Sequence, residues 1–388
     1  MNLPKPIKTP PDKEELRDRL EKLRNLMKNN DLDYYISFDP TNIYYLTNFA
    51  NYVHERPFIL IIPKKGLMKF VIPVLEATHV KTRARCELEL HQYFEYPAPQ
   101  GENWYDIYKS IIKKDARVGV ESSMTLRIYD KTPGNKIKKD LIDELRLIKS
   151  EYEIGRLVHA CKIINRGHKR LLKICRPGKM LFEIYSDISG YMTAKVVGDI
   201  KNLNPMVSKA QAVVLPPSVS HDPHNMTDVF LKMEQGGPHV SGVGGQIDGY
   251  GVELERTFFL GSVPKEAEKP FNIMMKARNK AFEMAIPGAI MGDIDREVRI
   301  LIKDEGFERN LLHRTGHGLG ITGHEAPFLA EGYEQQLEPG MVISIEPGIY
   351  IPNLGGFRHS DTVLITEEGN ISLTKAPDKL EELTINLN

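Results

Sequence analysis

From Asp12 the apolar positions Leu16, Leu20, Leu23 and Met27 recur at helical spacing, which predicts an amphipathic helix ending near Asn29-Asn30. Runs rich in β-branched and aromatic residues follow at Tyr34 to Phe38, Phe58 to Ile62, Met68 to Ile72 and Val118 to Glu121, and these read as strands. Helical segments around residues 41–45 and 74–85 lie between them. The stretch TPGNKIKKDLIDELRLIKS, residues 132–150, reads as a hinge followed by a helix. A long apolar face then begins, with Ile154, Leu157, Val158, Cys161 and Ile164 on one side of a helix from about Ser150 to Cys175. It stops at Arg176-Pro177-Gly178. The layout recurs, since a helix from about Lys265 to Ala285 stops at Ile286-Pro287-Gly288. Glu183-Ile184 follow the first stop and Asp293-Ile294 the second, 110 residues apart. Each copy leads into a polar, β-rich segment, 202–262 or 312–367, so the pattern predicts two related αβ halves around one site.

A chain of 388 residues is too long for one ordinary core, and the pattern divides it. Residues 1–12, rich in proline and lysine, are expected as a flexible arm, 13–135 as a small α/β domain, 136–149 as linker and helix start, and 150–388 as the catalytic domain. Composition narrows the partners. The 52 basic and 52 acidic residues cancel, which argues against nucleic acid or an anionic membrane. No apolar run is long enough to span a bilayer, and residues 1–8 lack the apolar stretch of a signal peptide. Cys86, Cys161 and Cys175 form neither a disulfide framework nor a zinc spacing, so core filling in a reducing cytoplasm is expected.

Candidate chemistry concentrates in residues 312–364. His317 lies in Gly-His-Gly-Leu-Gly, where glycines let a ligand approach the backbone closely. His324 follows, then Glu346 in Ile-Glu-Pro-Gly, then Arg358 and His359 in Gly-Gly-Phe-Arg-His-Ser-Asp. Imidazoles and carboxylates gathered like this bind a metal or move protons. Upstream, residues 221–225 supply His221, Asp222, His224 and Asn225. Glu253 and Glu255 alternate with Val252 and Leu254, so both carboxylates share one strand face. Two such groups cannot both be buried and ionised without a cation, whether a metal, Arg256 or a substrate guanidinium. Arg358 is expected to pair with an acid such as Asp361. The plain alternative is a set of glycine-rich turns beside a solvated strand face.

The segments DELRLIKSEYEI, GYGVELERTFFLG, TGHGLGITGHE, PGMVISIEPGIY and RHSDTVLITEEG, in that order, resemble the pita-bread family of prolidase, aminopeptidase P, methionine aminopeptidase and creatinase. The N-terminal part resembles the smaller creatinase/prolidase domain. The resemblance implies an α+β protein. Its C-terminal pita-bread fold would have two pseudo-symmetric αβ halves around a curved antiparallel sheet, beside an N-terminal α/β domain. It also implies C–N bond hydrolysis in a homodimer, on a small-molecule or dipeptide substrate.

Family metallopeptidases bind two divalent ions through Asp, Asp, His, Glu and Glu. Alignment of the motifs puts Gly242, Glu253, His317, Glu346 and Ser360 at those positions. Two ligands are kept, one becomes a longer acid and two are lost. In this the chain resembles the metal-independent creatinase branch. That likeness implies His224 as acid/base, with Glu255 and Glu346 also catalytic. It places His317, His324, Glu253 and His359 against the substrate, and Arg56 as a residue reaching into a partner's site. His359 stands where creatinase has a second substrate-binding Glu, and its arginine for the substrate carboxylate falls at Ala330. No cofactor is expected; the alternative is a manganese, cobalt or zinc ion on Glu253, His317 and Glu346. The expected function is metal-independent hydrolysis of a C–N bond in a small amide, guanidino or dipeptide substrate. A metal-dependent Xaa-Pro dipeptidase and an inactive binding homologue are the alternatives.

Overall fold

The computed structural model describes residues 4–226 and 228–387; residues 1–3 of the expected arm fall outside that set. The chain divides into two compact units, one of residues 10–146 and one combining residues up to 9 with those from 147 onward. In the second unit the Ile7 N–H donates to Gly155 O at 2.9 Å, and Thr9 O accepts from Arg156 at 2.7 Å.

In the first unit, α1 (Lys13–Asn29) starts where the Asp12 carboxylate accepts the Glu15 N–H, and it buries Leu16, Leu23 and Met27. The sheet has the order β4-β3-β2-β1-β5-β6. Its strands are β1 (Tyr34–Ser37), β2 (Ile59–Pro63), β3 (Met68–Pro73), β4 (Leu88–Tyr93), β5 (Arg117–Val120) and β6 (Asn135–Lys138). Around it lie α2 (Pro40–Thr47), α3 (Ala77–Arg83), α4 (Trp104–Ile111), α5 (Leu126–Lys131) and α6 (Leu141–Arg146). The apolar pattern does not predict β4 or β6. Both are edge strands whose residues are mostly half-buried or exposed, so neither needs the apolar run that marks a central strand.

Glu121, just past β5, is buried and accepts four hydrogen bonds. They come from Ser37 Oγ (2.6 Å), the Phe38 and Asp39 N–H groups (2.8 and 2.9 Å) and Asn42 Nδ2 (2.9 Å). One carboxylate therefore pins the end of β1 to the start of α2.

The second unit carries the repeat. In the first half, α7 (Glu151–Ile174) begins with a Ser150/Glu153 capping box, and α8 (Leu181–Asp199) follows. The strands β7 (Lys209–Leu215), β8 (Gly236–Ile247) and β9 (Tyr250–Leu260) come next, with the short α9 (Pro217–Ser220) between β7 and β8. The second half opens with α10 (Lys265–Met284) and α11 (Met291–Asp304). It continues through β10 (Gly316–Gly318), β11 (Glu325–Leu329), β12 (Val342–Ile345), β13 (Gly348–Ile351), β14 (Gly355–Arg358) and β15 (Ser360–Thr366). Gly178 and Gly288 close the two helical stops with the same φ of +83°. Their N–H groups donate to Met233 O and Leu337 O, both at 2.8 Å, and Met180 and Ile290 each make an isolated bridge in the same relative place.

The main sheet runs β11-β10-β12-β15-β9-β8-β7, antiparallel along this path. The halves meet where β15 pairs with β9, with Ser360 opposite Glu255 and Asp361 opposite Leu254. Alternation along β9 sends Glu253 and Glu255 to one face and Arg256 to the other. On the Arg256 face, Asp361 is held between Arg256 (2.9 Å) and Arg278 (2.6 Å), all three buried. His168 bonds Ser241 Oγ at 3.0 Å, and His239 stacks on Phe258. Among the described residues, no helix is long and apolar enough to cross a membrane.

Two predictions follow from this packing. Glu121→Gln puts an amide nitrogen among four donors and is expected to destabilise the first unit by about 2–3 kcal/mol, read as a lower thermal midpoint and faster amide exchange in β1 and α2. Acid is expected to weaken the second unit. Burial, with the Arg256 charge adding to it, holds His168 down to about 3, and burial holds His239 down to about 4. Unfolded imidazoles titrate near ~6.5, so the unfolded chain binds more protons below that value, and stability falls as pH drops from about 6.5 to about 4. Thermal melts across that range check this, a flat midpoint being the contrary result.

Candidate functional site

On the face opposite Arg256, β8 offers almost no side chains. Gly242 lies across from Glu255 and Gly244 across from Glu253. A cavity of about 470 Å³ opens there, floored by β7, β8 and β9, with Glu253 and Glu255 in its wall and Gly323 and His324 also lining it. A Cβ placed on Gly242 would stand 3.2 Å from Glu255 Oε1, so the Glu255 carboxylate covers the position where a side chain at 242 would begin.

The centre is built around His317 on β10. Its Nδ1 lies 3.1 Å from Gly318 O, which places the hydrogen on Nδ1 and turns Nε2 toward the carboxylates. Nε2 is 3.2 Å from Glu346 Oε1 and 3.7 Å from Glu253 Oε1, aligned with neither for a good hydrogen bond. Glu346, between β12 and β13, is placed by its N–H donating to Thr315 O at 2.8 Å. The His324 ring stacks on His317 with centroids 3.9 Å apart. One ligand atom each from Glu253, His317 and His324 lies within 4.8 Å of the other two.

Electrostatics follow from this crowding. Burial pushes the Glu253 carboxyl up, and the neighbouring Glu346 charge adds to that. Burial would raise Glu346 too, but the His317 ring and the Arg358 charge outweigh it and hold Glu346 ionised. Burial depresses His317, yet Glu346 and Glu253 lift it above the ordinary imidazole value. Burial and then the His317 charge lower His324. The corner at His317 Nε2 thus attracts positive charge, which a proton or a metal cation can supply.

Glu255 is neutralised differently. Arg358 grips both its oxygens, through Nε to Oε2 and through Nη2 to Oε1 at 2.8 Å. The third Arg358 nitrogen donates to the Tyr350 hydroxyl at 2.9 Å, and that hydroxyl lies 2.8 Å from His313 Nε2. Ser360 donates its hydroxyl to Glu253 at 2.7 Å.

Three expectations from the sequence are overturned here: the partner of Arg358, the counter-cation of the two glutamates and the place of His359. Arg358 pairs with Glu255 rather than Asp361, because alternation puts Arg358 and Ser360 on the cavity face and His359 and Asp361 on the other. For the same reason Arg256 is not the counter-cation of the two glutamates. His359, expected against the substrate, is fully buried with its ring edge-on to Phe271 at 5.5 Å, and the Arg256 and Arg278 charges surround it. His224 sits on the exposed 221–226 loop, its N–H 3.4 Å from Asp222 Oδ1, and its charge is felt by His313 and His324. Arg56 belongs to the first unit, where it lies 3.2 Å from Glu55 and 3.6 Å from Glu95. The structure brings Glu253, Glu255, His317, His324 and Glu346 together. Sequence reasoning named Arg358 with the wrong partner and missed Tyr350 and Ser360 as cavity groups, because the β9–β15 register that sorts Arg-His-Ser-Asp between the two faces is not written in the local sequence.

Comparison with known proteins decides the family. The model of metallopeptidase family M24 matches residues 155–367, and that of the creatinase/prolidase N-terminal domain matches residues 19–148. The chain belongs to metallopeptidase family M24. It is 29% identical over 371 residues to the Xaa-Pro dipeptidase of Pyrococcus furiosus, covering 94% of this chain and all of that one. The prolidase of Pyrococcus horikoshii superposes with a TM-score of 0.81 at 26% identity, over 94% of this chain and 99% of that one. An Xaa-Pro dipeptidase from Bacillus anthracis gives 0.79 at 25%, over 94% and 99%. The M24 chain is therefore a pita-bread hydrolase of C–N bonds with a creatinase-type N-terminal domain. Two-ion chemistry does not fit it, since Gly242 offers no ligand atom and Ser360 only a hydroxyl already given to Glu253.

A double-mutant cycle tests the Glu255–Arg358 pair. Each of Glu255→Gln and Arg358→Met leaves a buried charge unpaired and is expected to cost about 3–5 kcal/mol. The double variant should cost less than the sum by about 1–3 kcal/mol, and denaturant titrations showing strict additivity would mean that the two act independently.

Proposed function

We propose that the chain hydrolyses the C–N bond of a Xaa-Pro dipeptide with one divalent ion held by Glu253, His317 and His324. The carrying observation is the convergence of those three donors, with the His317 Nε2 lone pair left free by the Nδ1 contact to Gly318 O. Glu346, 3.2 Å from Nε2, is a further oxygen donor at hand. Family membership and the names of the relatives favour this metal-dependent reading over the metal-free one expected from the ligand pattern. A manganese, cobalt or zinc ion there would polarise the scissile carbonyl and acidify a bound water.

The chain's own groups supply the rest. Glu346, kept ionised, accepts a proton or holds a water against the substrate. Burial and the neighbouring His317 charge lower His324, so it offers the ion a neutral imidazole lone pair. His224, on the exposed loop, is the group proposed to protonate the leaving nitrogen. Glu255, tied to Arg358, sets the charge of the wall rather than moving protons. Arg56 and a homodimer belong to the same proposal.

One observation favours a second reading, hydrolysis without a metal. Two positions that would hold ions, 242 and 360, carry no acid, and Glu255 already has a fixed cation in Arg358.

Metal analysis after incubation with manganese, cobalt or zinc, run beside Xaa-Pro cleavage with and without chelator, separates the readings. The expected result is about one ion per chain, lost in His317→Ala, with chelator-sensitive cleavage. Cleavage untouched by chelator, with no bound metal, would establish the second reading.

A further inference from the structure

A second cavity of the same unit, about 490 Å³, opens between α7 and residues 375–377. Arg166, Lys169, Lys173 and Lys375 surround it, and no acid lines it. All four residues are exposed, and among the described residues their side chains make no ion pair or hydrogen bond. From Ile154 to Ile174, α7 carries no acid at all. Arg166 and Lys169 stand three apart and Lys169 and Lys173 four apart, spacings at which like charges weaken a helix. The helix dipole favours cations only in the last turn, where Lys173 alone lies. Lys375 comes from a different segment, so the helix does not explain it. An anion among the four would offset their repulsion.

The walls are fixed before any ligand arrives. Asn165 Oδ1 accepts the Lys375 N–H at 2.9 Å, and Pro377 O accepts from Arg256 Nε at 2.7 Å. His168, 1% exposed, also lines the cavity. Ser241 gives its hydroxyl hydrogen to Arg256 O at 3.0 Å, so toward His168 Nε2, also at 3.0 Å, it accepts. The hydrogen of the neutral ring is then on Nε2, and Nδ1 is a buried lone pair with no donor. Alternation along β8 points Ser241 away from the face of Gly242 and Gly244. This cavity therefore lies on the opposite side of the sheet from Glu253 and Glu255.

We propose that this cavity is a binding site for a small phosphomonoester, separate from the peptide site and independent of the peptidase reading. A phosphoryl group carries a charge of about −1.5 to −2 and three acceptor oxygens, so it answers several cations at once where a carboxylate answers one or two. The organic body of the ligand lies on Leu172, Ala376 and Pro377. A P–OH or neighbouring hydroxyl supplies the donor that His168 Nδ1 lacks. The volume suits a small molecule rather than a strand of nucleic acid.

Calorimetry on the full chain titrates phenyl phosphate, inorganic phosphate and benzoate, and backbone amide NMR locates the binding. A parallel arm uses His317→Ala, so that phosphate held by an ion in the peptide site is told apart. Phenyl phosphate is expected to shift the amides of Leu172 and Ala376 in both arms, with inorganic phosphate and benzoate each weaker by about tenfold or more. Lys169→Gln with Lys173→Gln should weaken phenyl phosphate by about tenfold or more at an unchanged thermal midpoint, since both residues are exposed. Lys201→Gln with Lys265→Gln removes the same charge elsewhere and should leave binding unchanged. Equal loss in the two double variants overturns the proposal, because it reports net charge alone. Binding indifferent to Lys169 and Lys173 overturns it as well. So does binding that disappears in His317→Ala, or no saturable binding of phenyl phosphate in either arm.

Discussion

The two-residue pairing of β15 with β9 is the constraint on which the candidate site depends. It joins the pseudo-symmetric halves and fixes which side chains share a face. A slip of one residue would carry Ser360 and Arg358 to the helical side and bring Asp361 and His359 into the cavity. Asp361, clamped by Arg256 from the first half and Arg278 from the second, opposes such a slip, because moving it would strand three buried charges. The ion triad behind the sheet thereby keeps the cavity face in register. Chemistry on one side is supported by charge pairing on the other.

Within the cavity, two glutamates on one strand face meet different fates. Glu255 receives a permanent cation from the protein. Glu253 receives only a serine hydroxyl and the neighbourhood of His317, so its charge depends on what else arrives. The same residue type, two positions apart, thus divides into a structural ion pair and a group that responds to a proton or a metal. Tyr350 and His313 extend the ion pair, since Arg358 donates to the Tyr350 hydroxyl and that hydroxyl bonds His313 Nε2.

Much of this was legible in the chain. The repeated helix, Pro-Gly, helix layout marked the two halves because a left-handed glycine after a helix leaves a strong local signature. His317, His324, Glu346 and the Glu253/Glu255 pair stood out because imidazoles and carboxylates are costly to bury without a purpose. Edge strands β4 and β6 were illegible because half-solvated strands carry no continuous apolar pattern. The partner of Arg358 was illegible for another reason. Local sequence offers Asp361 three residues away, and only the β9–β15 register shows that the pleat points them to opposite sides. His359 was misread through the same alternation.

Gly242, Glu255 and Ser360 lie in one row across three neighbouring strands. Their evolutionary freedom is therefore joint rather than separate. An acid at 242 would meet the Glu255 carboxylate at once, and an acid at 360 would enter a row that already holds that charge and its arginine. Either change adds a carboxylate beside Glu255, and removing Glu255 alone leaves Arg358 without a counter-ion. Placing acids at both outer positions therefore changes the charge balance that Glu255 and Arg358 now hold between them. The three positions thus act as one unit, in which a substitution at any of them is read against the charge held by the other two.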